Sequence, residues 1–460
     1  MSANEQTTGV TAPANNAPTT SPAPARSFQR PDGLRLLYLV DSFGLYALMV
    51  LITVARFGSE WPTYPVSHYM TGFLIATIVH ISINYFGGLY ERDHGLGSRL
   101  WLPRAVSLTA VAVLVDAALV VALDRYLMPR LNLVILAISA SLLIAFNRWL
   151  AHSMYVVRFG RPQVLLVGNP DDTSLAVEHL KVSDRDAVVA ASTESISEVV
   201  GLVNEHGITD VLITSGHVED IYPNPLAMLE ARRVSVYFRL ESSDTLLGIR
   251  RSNQIAGMPF VIIRPHALPP HKRHLKRAVE LLILVLLLPI AIPVLGLLAL
   301  YVRIVAGKGV IYTQDRVGRD GEIYQIRKFR TMYHGAENLT GPAIADRDDE
   351  RVVPMLHWMR RMRLDELPQL WNVLKGDMSL VGPRPERPDF TSTLAELIPG
   401  YARRHDIPPG ITGLAQVQGR YHTDPVYKLG HDLHYLVNWS PVLDLQILIR
   451  TVWVILAQKV

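Results

Sequence analysis

Four apolar segments in the first third of the chain constrain the fold most strongly. Each is close to the roughly 20 residues that a helix needs to cross the hydrocarbon core of a bilayer. The 460-residue sequence is 49% hydrophobic and only 19% charged, which is typical of an integral membrane protein with soluble parts. We therefore predict a four-helix transmembrane bundle within residues 31–155. Its helices lie at about Leu36–Ala55, Met70–Phe86, Ala105–Leu123 and Leu131–Leu150.

The charges between these segments predict their orientation. Residues 57–69, after the first segment, contain no Lys or Arg, whereas basic residues follow the second and fourth segments. The positive-inside rule then puts both ends of the bundle in the cytoplasm, which implies a multi-pass protein of the inner membrane. The basic residues are Arg92, Arg99, Arg104, Arg148, Arg158 and Arg161. Residues 1–30 are mostly small and polar, so we predict a disordered tail.

Two acidic residues, Asp41 and Asp116, lie inside the predicted spans. A charged residue inside a membrane span often marks a functional site. The alternative is that each acid lies near a helix end or pairs with a facing arginine. We favour this alternative, because no chain of acids marks a proton or ion path.

Residues 160–265 predict a Rossmann-like α/β domain, because short β-branched runs alternate with helical stretches. The turn after the first run, residues 168–172, reads Gly-Asn-Pro-Asp-Asp. A dinucleotide site needs two further glycines there, so a structural or regulatory role is favoured over a cofactor site. The predicted strands are Val164–Gly168, Ala187–Ala191, Asp210–Thr214 and Val234–Phe238.

A fifth apolar segment, Ala278–Leu300, is long enough to span the membrane but contains Pro289 and Pro293. Both of its flanks are basic, and a span would place one of them outside. We predict a re-entrant membrane helix over residues 272–302 that breaks at the prolines and returns to the cytoplasmic surface. The alternative is a proline-kinked span, which would put everything after residue 301 outside.

Residues 303–460 predict a compact α/β domain with candidate phosphate chemistry. Asp365 and Glu366 precede a helix-capable run, so we expect Asp365 to cap the helix and to have a lowered pKa. The alternating strand at 323–332 places Lys328 and Arg330 on one side. Arg360 precedes the acids, Arg384 lies between two prolines, and residues 409–413 form another turn. Fixed cations around two carboxylates beside a membrane helix favour phosphate chemistry at the bilayer surface.

From about Lys276 to its end, the chain resembles the bacterial sugar transferase domain of the monotopic phosphoglycosyl transferases. The whole architecture resembles the polyprenyl-phosphate hexose-1-phosphate transferases. Two positions depart from the family pattern: Leu288 replaces the serine of a Ser-Pro pair, and Leu414 replaces a tryptophan. The motifs that carry the resemblance are Lys328–Met332, Leu364–Leu374, Gly376–Pro385, Pro409–Gly413, Ala415–Val417, Asn438–Ser440 and Leu443–Leu445.

The resemblance implies a reaction and its residues. Asp365 would attack a nucleotide sugar, typically a UDP-hexose, and release UMP, and polyprenyl phosphate would then accept the sugar phosphate. Glu366 would hold Mg²⁺. The product would start exopolysaccharide, capsule or O-antigen synthesis at the cytoplasmic face of the bilayer. A homo-oligomer is left open, and no nucleic-acid motif is present. The expected phosphate-binding residues are Lys328, Arg330, Arg360 and Arg384.

Three alternative hypotheses have weaker sequence support. The Asp-x-Asp of Asp346 and Asp348 is typical of metal-dependent glycosyltransferases, but such short patterns are common. The chain could instead be a non-catalytic membrane sensor whose Rossmann-like domain binds a nucleotide. His431 and His434 have helical spacing for metal ligands, but a surface or packing role is favoured. Because the sequence has no cysteine, thiolate metal sites and a cysteine nucleophile are excluded.

Overall fold

The computed structural model describes most of the chain outside its first 35 residues. The predicted tail at residues 1–30, Asp346 and Asp348, and the flanking Arg92 and Arg99 lie outside the described residues. The described residues are 36–58, 61, 65–90, 96, 101–122, 129–183, 187–216, 221, 225–232, 234–240, 253–255, 258–263, 268–335, 349–418 and 424–457.

Four long helices pack against one another at the predicted positions. Their shared core contains side chains with no exposed surface, such as Leu45, Phe73 and Leu136, while large apolar side chains cover the outside. Among the described residues, five helices are long and apolar enough to cross a membrane, so the chain is a multi-pass membrane protein. The four helices are α1 (Leu37–Phe57), α2 (Val66–Phe86), α3 (Trp101–Ala122) and α4 (Arg130–Phe159).

The two acids inside these helices have different partners. Asp41 forms an ion pair with Arg148 at 2.7 Å and accepts hydrogen bonds from Asn147 and Tyr90, which confirms the predicted arginine partner. For Asp116 that expectation is wrong, because its carboxylate lies 3.3 Å from Nδ1 of His80. Both pairs are buried, as charges within a membrane bundle usually are.

The following α/β domain has one six-stranded mixed sheet in the order β2-β1-β3-β4-β6-β5. Its first four strands pair in parallel, as predicted, and β6 and β5 add an antiparallel edge that the sequence analysis missed. The strands are β1 (Gln163–Val167), β2 (Val188–Thr193), β3 (Asp210–Ile213), β4 (Ser235–Arg239), β5 (Asn253–Ile255) and β6 (Met258–Ile263). The helices are α5 (Pro170–Ser183), α6 (Val199–His206) and α7 (Leu226–Ala231).

The turn after β1 is filled by protein side chains. Gly168 has a φ of +146°, and a Cβ there would lie 2.4 Å from Oγ1 of Thr214. The backbone N–H of Asn169 donates to Oγ of Ser215 at 2.7 Å. Gly168 therefore lies directly against the end of β3. The structural or regulatory role of this domain stays a prediction.

The fifth apolar segment forms one 37-residue helix, α8 (Pro270–Ala306). The predicted interruption is wrong, because the helix continues through both Pro289 and Pro293. Proline removes single hydrogen bonds without ending a helix when neighbouring groups compensate. The exposed large apolar side chains between its ends are Leu282, Val285, Leu286, Leu287, Ile290, Ile292, Val294, Leu297 and Leu300.

Both ends of α8 contact the same C-terminal domain. Near its start, Nζ of Lys276 lies 2.9 Å from Oδ2 of Asp444. Near its end, the Tyr301 hydroxyl donates to the Met355 carbonyl at 2.9 Å, and Val302 packs into a second core with Phe329. The apolar middle of the helix therefore lies between two arms that are attached to one domain.

The described residues of the C-terminal domain form two small sheets and six α-helices. β7 (Ile311–Val317) and β8 (Ile323–Phe329) form an antiparallel hairpin, and β9 (Ser379–Val381) pairs in parallel with β10 (Gly410–Thr412). The main core lies between β9, α8 and the last two helices. The helices are α9 (His357–Arg361), α10 (Leu370–Lys375), α11 (Pro388–Leu397), α12 (Leu414–Gln418), α13 (Pro425–Asn438) and α14 (Pro441–Leu456).

Candidate active site

A short 3₁₀ helix, Leu364–Gln369, carries the two adjacent acids. Arg363 precedes it in the left-handed region at φ +56°, which turns the chain sharply out of α9. Arg363, not Asp365, occupies the cap position, so the predicted capping role of Asp365 is wrong. Pro368 lies within this segment, and its missing N–H cannot make the hydrogen bonds of a regular α-helix.

Glu366 is buried and held by three cations. Its Oε1 lies 2.8 Å from Nζ of Lys328, 3.5 Å from Nη1 of Arg363 and 3.8 Å from Nη2 of Arg384. Burial alone would raise the pKa of Glu366, but Lys328, Arg384 and Arg363 outweigh it and lower that pKa below its usual value. Glu366 is therefore a carboxylate at neutral pH.

Asp365 differs from its neighbour. Its Oδ1 is buried and accepts no hydrogen bond from the described residues. Burial, followed by the charge of Glu366, raises the pKa of Asp365 to about 6, although Lys328, Arg360 and Arg363 act against the rise. The expected lowering of its pKa is therefore wrong. An uncompensated carboxylate oxygen beside cations can react with an electrophile that those cations bind.

A small cationic pocket adjoins Glu366. Burial and the nearby charges of Arg384 and Arg387 lower the pKa of Arg316, which shows how closely positive charge is concentrated there. Such a pocket suits a phosphate or diphosphate group. Its lining residues are Arg316, Ile326, Lys328, Glu366, Gln369, Arg384, Pro385, Gly410 and Ile411.

Two turns meet backbone to backbone at this pocket. A Cβ on Gly410 would lie 2.1 Å from the backbone N of Gly382, and one on Gly413 would lie 2.2 Å from the Gly382 carbonyl oxygen. No side chain larger than hydrogen fits at these positions without moving the backbone. The glycines therefore set the position of the Gly382–Pro385 turn, which carries Arg384.

A buried ion pair also fixes the turn that carries Arg384. Nη2 of Arg404 donates to the Arg384 carbonyl at 3.1 Å and lies 2.8 Å from Oδ2 of Asp432. Arg316 donates to the next carbonyl, that of Pro385, at 3.1 Å. Arg404 and Arg316 therefore hold the backbone from which the Arg384 side chain extends.

The structure brings most of the predicted site residues together. Lys328 and Arg384 reach Glu366, and Arg360 lies close enough to Asp365 to lower its pKa. Arg330 does not join them, because its guanidinium donates to the Ala306 carbonyl at the end of α8. The strand ends at Phe329, so the alternation that placed Lys328 and Arg330 on one side does not extend to Arg330.

Sequence reasoning missed Arg316, Arg363 and Gln369 as site residues. Arg316 could have been found, because it precedes the β7–β8 turn opposite the strand of Lys328. Arg363 and Gln369 lie within three residues of the acid pair in the sequence, but nothing in the sequence shows which way their side chains point. The assigned roles of all these residues stay predictions.

The acid pair can supply part of the coordination of a magnesium ion. Among the described residues, no three His, Cys, Asp or Glu side chains form a metal cluster. Mg²⁺ is commonly held by one or two carboxylates together with substrate phosphates and water, and Asp365 and Glu366 can supply the carboxylates.

His431 and His434 lie away from this site. The ring centroids of His431 and Tyr427 are 4.6 Å apart, and His434 contacts Asn438. These contacts agree with the surface or packing role favoured for the two histidines.

The comparisons with known proteins place the resemblance in the same part of the chain. Residues 271–458 match the family described as bacterial sugar transferase. The Aeromonas hydrophila UDP-N-acetylgalactosamine-undecaprenyl-phosphate N-acetylgalactosaminephosphotransferase is 35% identical over 234 residues, 50% of this chain and 54% of the relative. The Escherichia coli (strain K12) UDP-glucose:undecaprenyl-phosphate glucose-1-phosphate transferase is 39% identical over 208 residues, 44% of this chain and 45% of the relative.

The match to a shorter relative covers most of that relative's length. The exopolysaccharide production protein ExoY of Sinorhizobium fredii (strain NBRC 101917 / NGR234) is 33% identical over 195 residues, 39% of this chain and 83% of the relative. The matches to the two longer relatives span only about half of their length. All three likenesses therefore support a shared catalytic region more directly than a shared whole protein.

The ion pair behind Arg384 gives a stability prediction. Arg404→Gln should destabilise the domain by about 3–5 kcal/mol, because it leaves Asp432 buried without its cation. Burial already raises the pKa of Asp432 to about 6 despite Arg404. Without Arg404 the folded state should bind a proton more readily still, so stability should fall as pH rises and the loss should be larger at pH 8 than at pH 5.

Thermal unfolding of the purified protein in detergent measures this loss. Arg403→Gln is the matched control, since Nη1 of Arg403 lies 3.7 Å from Oδ2 of the partly exposed Asp406, and such a partly exposed pair should contribute about 0–1 kcal/mol. Equal losses in the two variants would show that the buried pair does not hold the turn.

Proposed function

The chain belongs to the bacterial sugar transferase family, and from that premise we propose that it transfers a hexose-1-phosphate from a nucleoside diphosphate hexose to polyprenyl phosphate. The products are a polyprenyl-diphosphate-hexose and a nucleoside monophosphate. This reaction would start the assembly of an exopolysaccharide, capsule or O-antigen. The relatives reported above are named for glucose and for N-acetylgalactosamine at similar identities, so the proposal is limited to a hexose.

One observation carries the proposal: Oδ1 of Asp365 is buried and accepts no hydrogen bond from the described residues, and the next residue, Glu366, lines a cationic pocket. Lys328, Arg384 and Arg316 supply the positive charge of that pocket. A structural acid would be expected to have its oxygens satisfied by nearby donors. The arrangement suits a nucleophile that attacks a bound diphosphate.

In the first half-reaction, the Asp365 carboxylate attacks the sugar-proximal phosphorus. An O–P bond forms, and the bond from that phosphorus to the bridging oxygen breaks. The electron pair leaves with the nucleoside monophosphate, and a sugar-phosphoryl aspartate remains. In the second, an oxygen of polyprenyl phosphate attacks the same phosphorus and the bond to Asp365 breaks. An acyl phosphate conserves the energy of the anhydride, so both steps can stay near balance.

The cations allow an anion to attack an anionic diphosphate. Lys328, Arg384 and Arg316 line the pocket and would bind phosphate oxygens. Glu366 keeps Lys328 and Arg384 in place through its Oε1. Glu366 would also hold Mg²⁺, which would supply further positive charge to the diphosphate.

We propose that α8 bends at Pro289 and Pro293 while staying helical, so that it enters and leaves the membrane on the cytoplasmic side. Support comes from its two arms, which contact one domain through Lys276 and Tyr301, and from the exposed apolar side chains between them. Helices α1–α4 would cross the inner membrane with both bundle ends in the cytoplasm. The soluble nucleotide sugar and the lipid phosphate would then meet at one surface.

The alternative functions have less support. Asp346 and Asp348 lie outside the described residues, and no observation favours a glycosyltransferase site around them. A nucleotide sensor would need a glycine-rich binding turn after β1, and residues 168–172 lack the second and third glycines of such a turn. Phosphoryl transfer at Asp365 has more support than either alternative.

The nucleophile can be tested by substitution. Asp365→Asn should abolish release of the nucleoside monophosphate from a nucleotide sugar, because an amide is not an effective nucleophile here. Wild-type protein incubated with a radiolabelled nucleotide sugar and no lipid should retain label covalently, and the variant should not. Asp377→Asn, which changes a carboxylate outside the pocket, is the control. Normal turnover in Asp365→Asn would remove Asp365 as the nucleophile.

The raised pKa of Asp365 predicts the pH dependence of the first half-reaction. Attack needs the carboxylate, so the rate of nucleoside monophosphate release should fall as pH drops through about 6. Arg363→Gln removes a cation that lowers this pKa, so its midpoint should move to higher pH. A wild-type profile that stays flat down to pH 4.5 would contradict the assignment.

The membrane topology can be tested directly, because the natural sequence has no cysteine. In intact cells, a membrane-impermeant maleimide should label Ser67→Cys, at the outer end of α2, but not Glu322→Cys, in the C-terminal domain. Both should react once the membrane is permeabilised. Labelling of Glu322→Cys in intact cells would put the domain outside and contradict the re-entrant arrangement.

A further inference from the structure

An apolar groove lies between the first arm of α8 and the start of α14. Its walls come from α8 (Val279, Ile283), β9 (Leu380, Val381) and α14 (Val442, Leu448). Including its open mouth, it contains about 640 Å³ of space. It is separate from the cationic pocket beside Asp365.

The two acids in the groove wall have partners within the protein. Glu280 and Asp444 each lie 2.9 Å from Nζ of Lys276, and Asp444 also accepts hydrogen bonds from Tyr435 and Trp439. Glu280 accepts hydrogen bonds from Ser379 and from the backbone of Leu380, so oxygens of both acids are engaged within the protein. The groove surface is left almost entirely apolar, so it suits an apolar occupant.

The groove is continuous with the surface that faces the proposed membrane. On α14, exposed apolar side chains recur at helical spacing away from the core, and Leu282, Val285 and Leu286 are exposed on the adjacent arm of α8. An amphipathic helix with such a face lies in the interfacial region of a bilayer. The groove mouth thus opens between two lipid-facing helices. The exposed residues of α14 are Val442, Leu445, Ile449, Val452, Trp453 and Leu456.

One strand connects the groove with the cationic pocket. Leu380 and Val381 line the groove, and Arg384, which lines the pocket, follows Leu380 by four residues. Four residues of extended chain span at most about 13–14 Å. A molecule with a long apolar tail in the groove can therefore place an anionic head near Arg384.

We propose that this groove binds the isoprenoid chain of the polyprenyl phosphate acceptor next to its phosphate. The inference rests on the proposed function and adds the acceptor site to it. A bilayer phospholipid matches the apolar walls but has no reason to present its phosphate to Arg384. The acceptor must do so to attack the phosphorus on Asp365, and its single anionic phosphate complements the pocket.

Two valines on α14 provide a matched test. Val442 and Val452 are similarly exposed, at 63% and 58%, but only Val442 lines the groove. Val442→Trp should fill part of the groove and lower kcat/KM for undecaprenyl phosphate by about tenfold or more, mainly through KM. Val452→Trp should stay within about twofold of wild type, since it only adds apolar surface on the lipid-facing side.

Two further measurements separate a loss of acceptor binding from a general loss of activity. The KM for the nucleotide sugar is the internal reference and should not follow the KM for the acceptor. Val442→Phe, a smaller change, should give an intermediate loss. If Val442→Trp does not fold, Val442→Phe carries the test. Equal effects of the substitutions at positions 442 and 452, or an unchanged acceptor KM in both position-442 variants, would overturn the groove assignment.

A binding experiment distinguishes the acceptor from ordinary lipid. Undecaprenyl phosphate with a photoreactive group in its first isoprene units should cross-link to peptides from α14 and β9. Unlabelled undecaprenyl phosphate should compete and phosphatidic acid should not. Equal competition by phosphatidic acid would overturn the proposal. Failure of wild-type protein to release nucleoside monophosphate would instead contradict the proposed function.

Discussion

One buried lysine attaches the first arm of α8 to the C-terminal domain. Lys276 is 3% exposed and lies between Glu280 and Asp444, with the Tyr435 hydroxyl as a third partner at 3.0 Å. Removing one partner from such a group typically costs about 3–5 kcal/mol, because the remaining charge stays buried. Glu280 also accepts hydrogen bonds from Ser379 and from the backbone of Leu380. The membrane helix is thereby tied to β9, and β9 leads to Arg384.

More cations than carboxylates act on the acid pair. Four cations, Lys328, Arg360, Arg363 and Arg384, influence two adjacent carboxylates. At Glu366, Lys328, Arg384 and Arg363 outweigh burial and lower the pKa, whereas burial and then the charge of Glu366 raise the pKa of Asp365. Substrate phosphates would bring further negative charge to the same cations. Because interactions between partly buried charges are several times stronger than in bulk water, small movements of Arg384 would change this balance. The backbone contacts from Arg404 and Arg316 oppose such movements.

The sequence predicted the parts of this fold that depend on local periodicity. Helices α1–α4 and strands β1–β4 lie within a few residues of their predicted positions, apart from the ends of the longer helices. β5, with only three residues, has too short a pattern to be found, and its partner β6 was missed with it. The role of Arg330 could not be predicted, because it depends on where β8 ends. The pKa of Asp365 depends on burial among distant segments, which no local pattern encodes. Arg404 is one of two consecutive arginines, and only the tertiary structure shows which one is buried against Asp432.

The transmembrane bundle contacts the transferase region at the beginning of α8. The Tyr85 hydroxyl, near the end of α2, lies 2.5 Å from Nδ1 of His274, and the two rings stack with centroids 6.0 Å apart. His274 is two residues before Lys276, so the same turn of α8 contacts the bundle and the C-terminal domain. The described site residues all come from residues 316–411, outside the bundle. The bundle can therefore affect the reaction by fixing the depth and direction at which α8 enters the membrane. In the proposed reaction, that geometry would set where the groove opens relative to the lipid chains, and hence how the acceptor phosphate approaches Asp365.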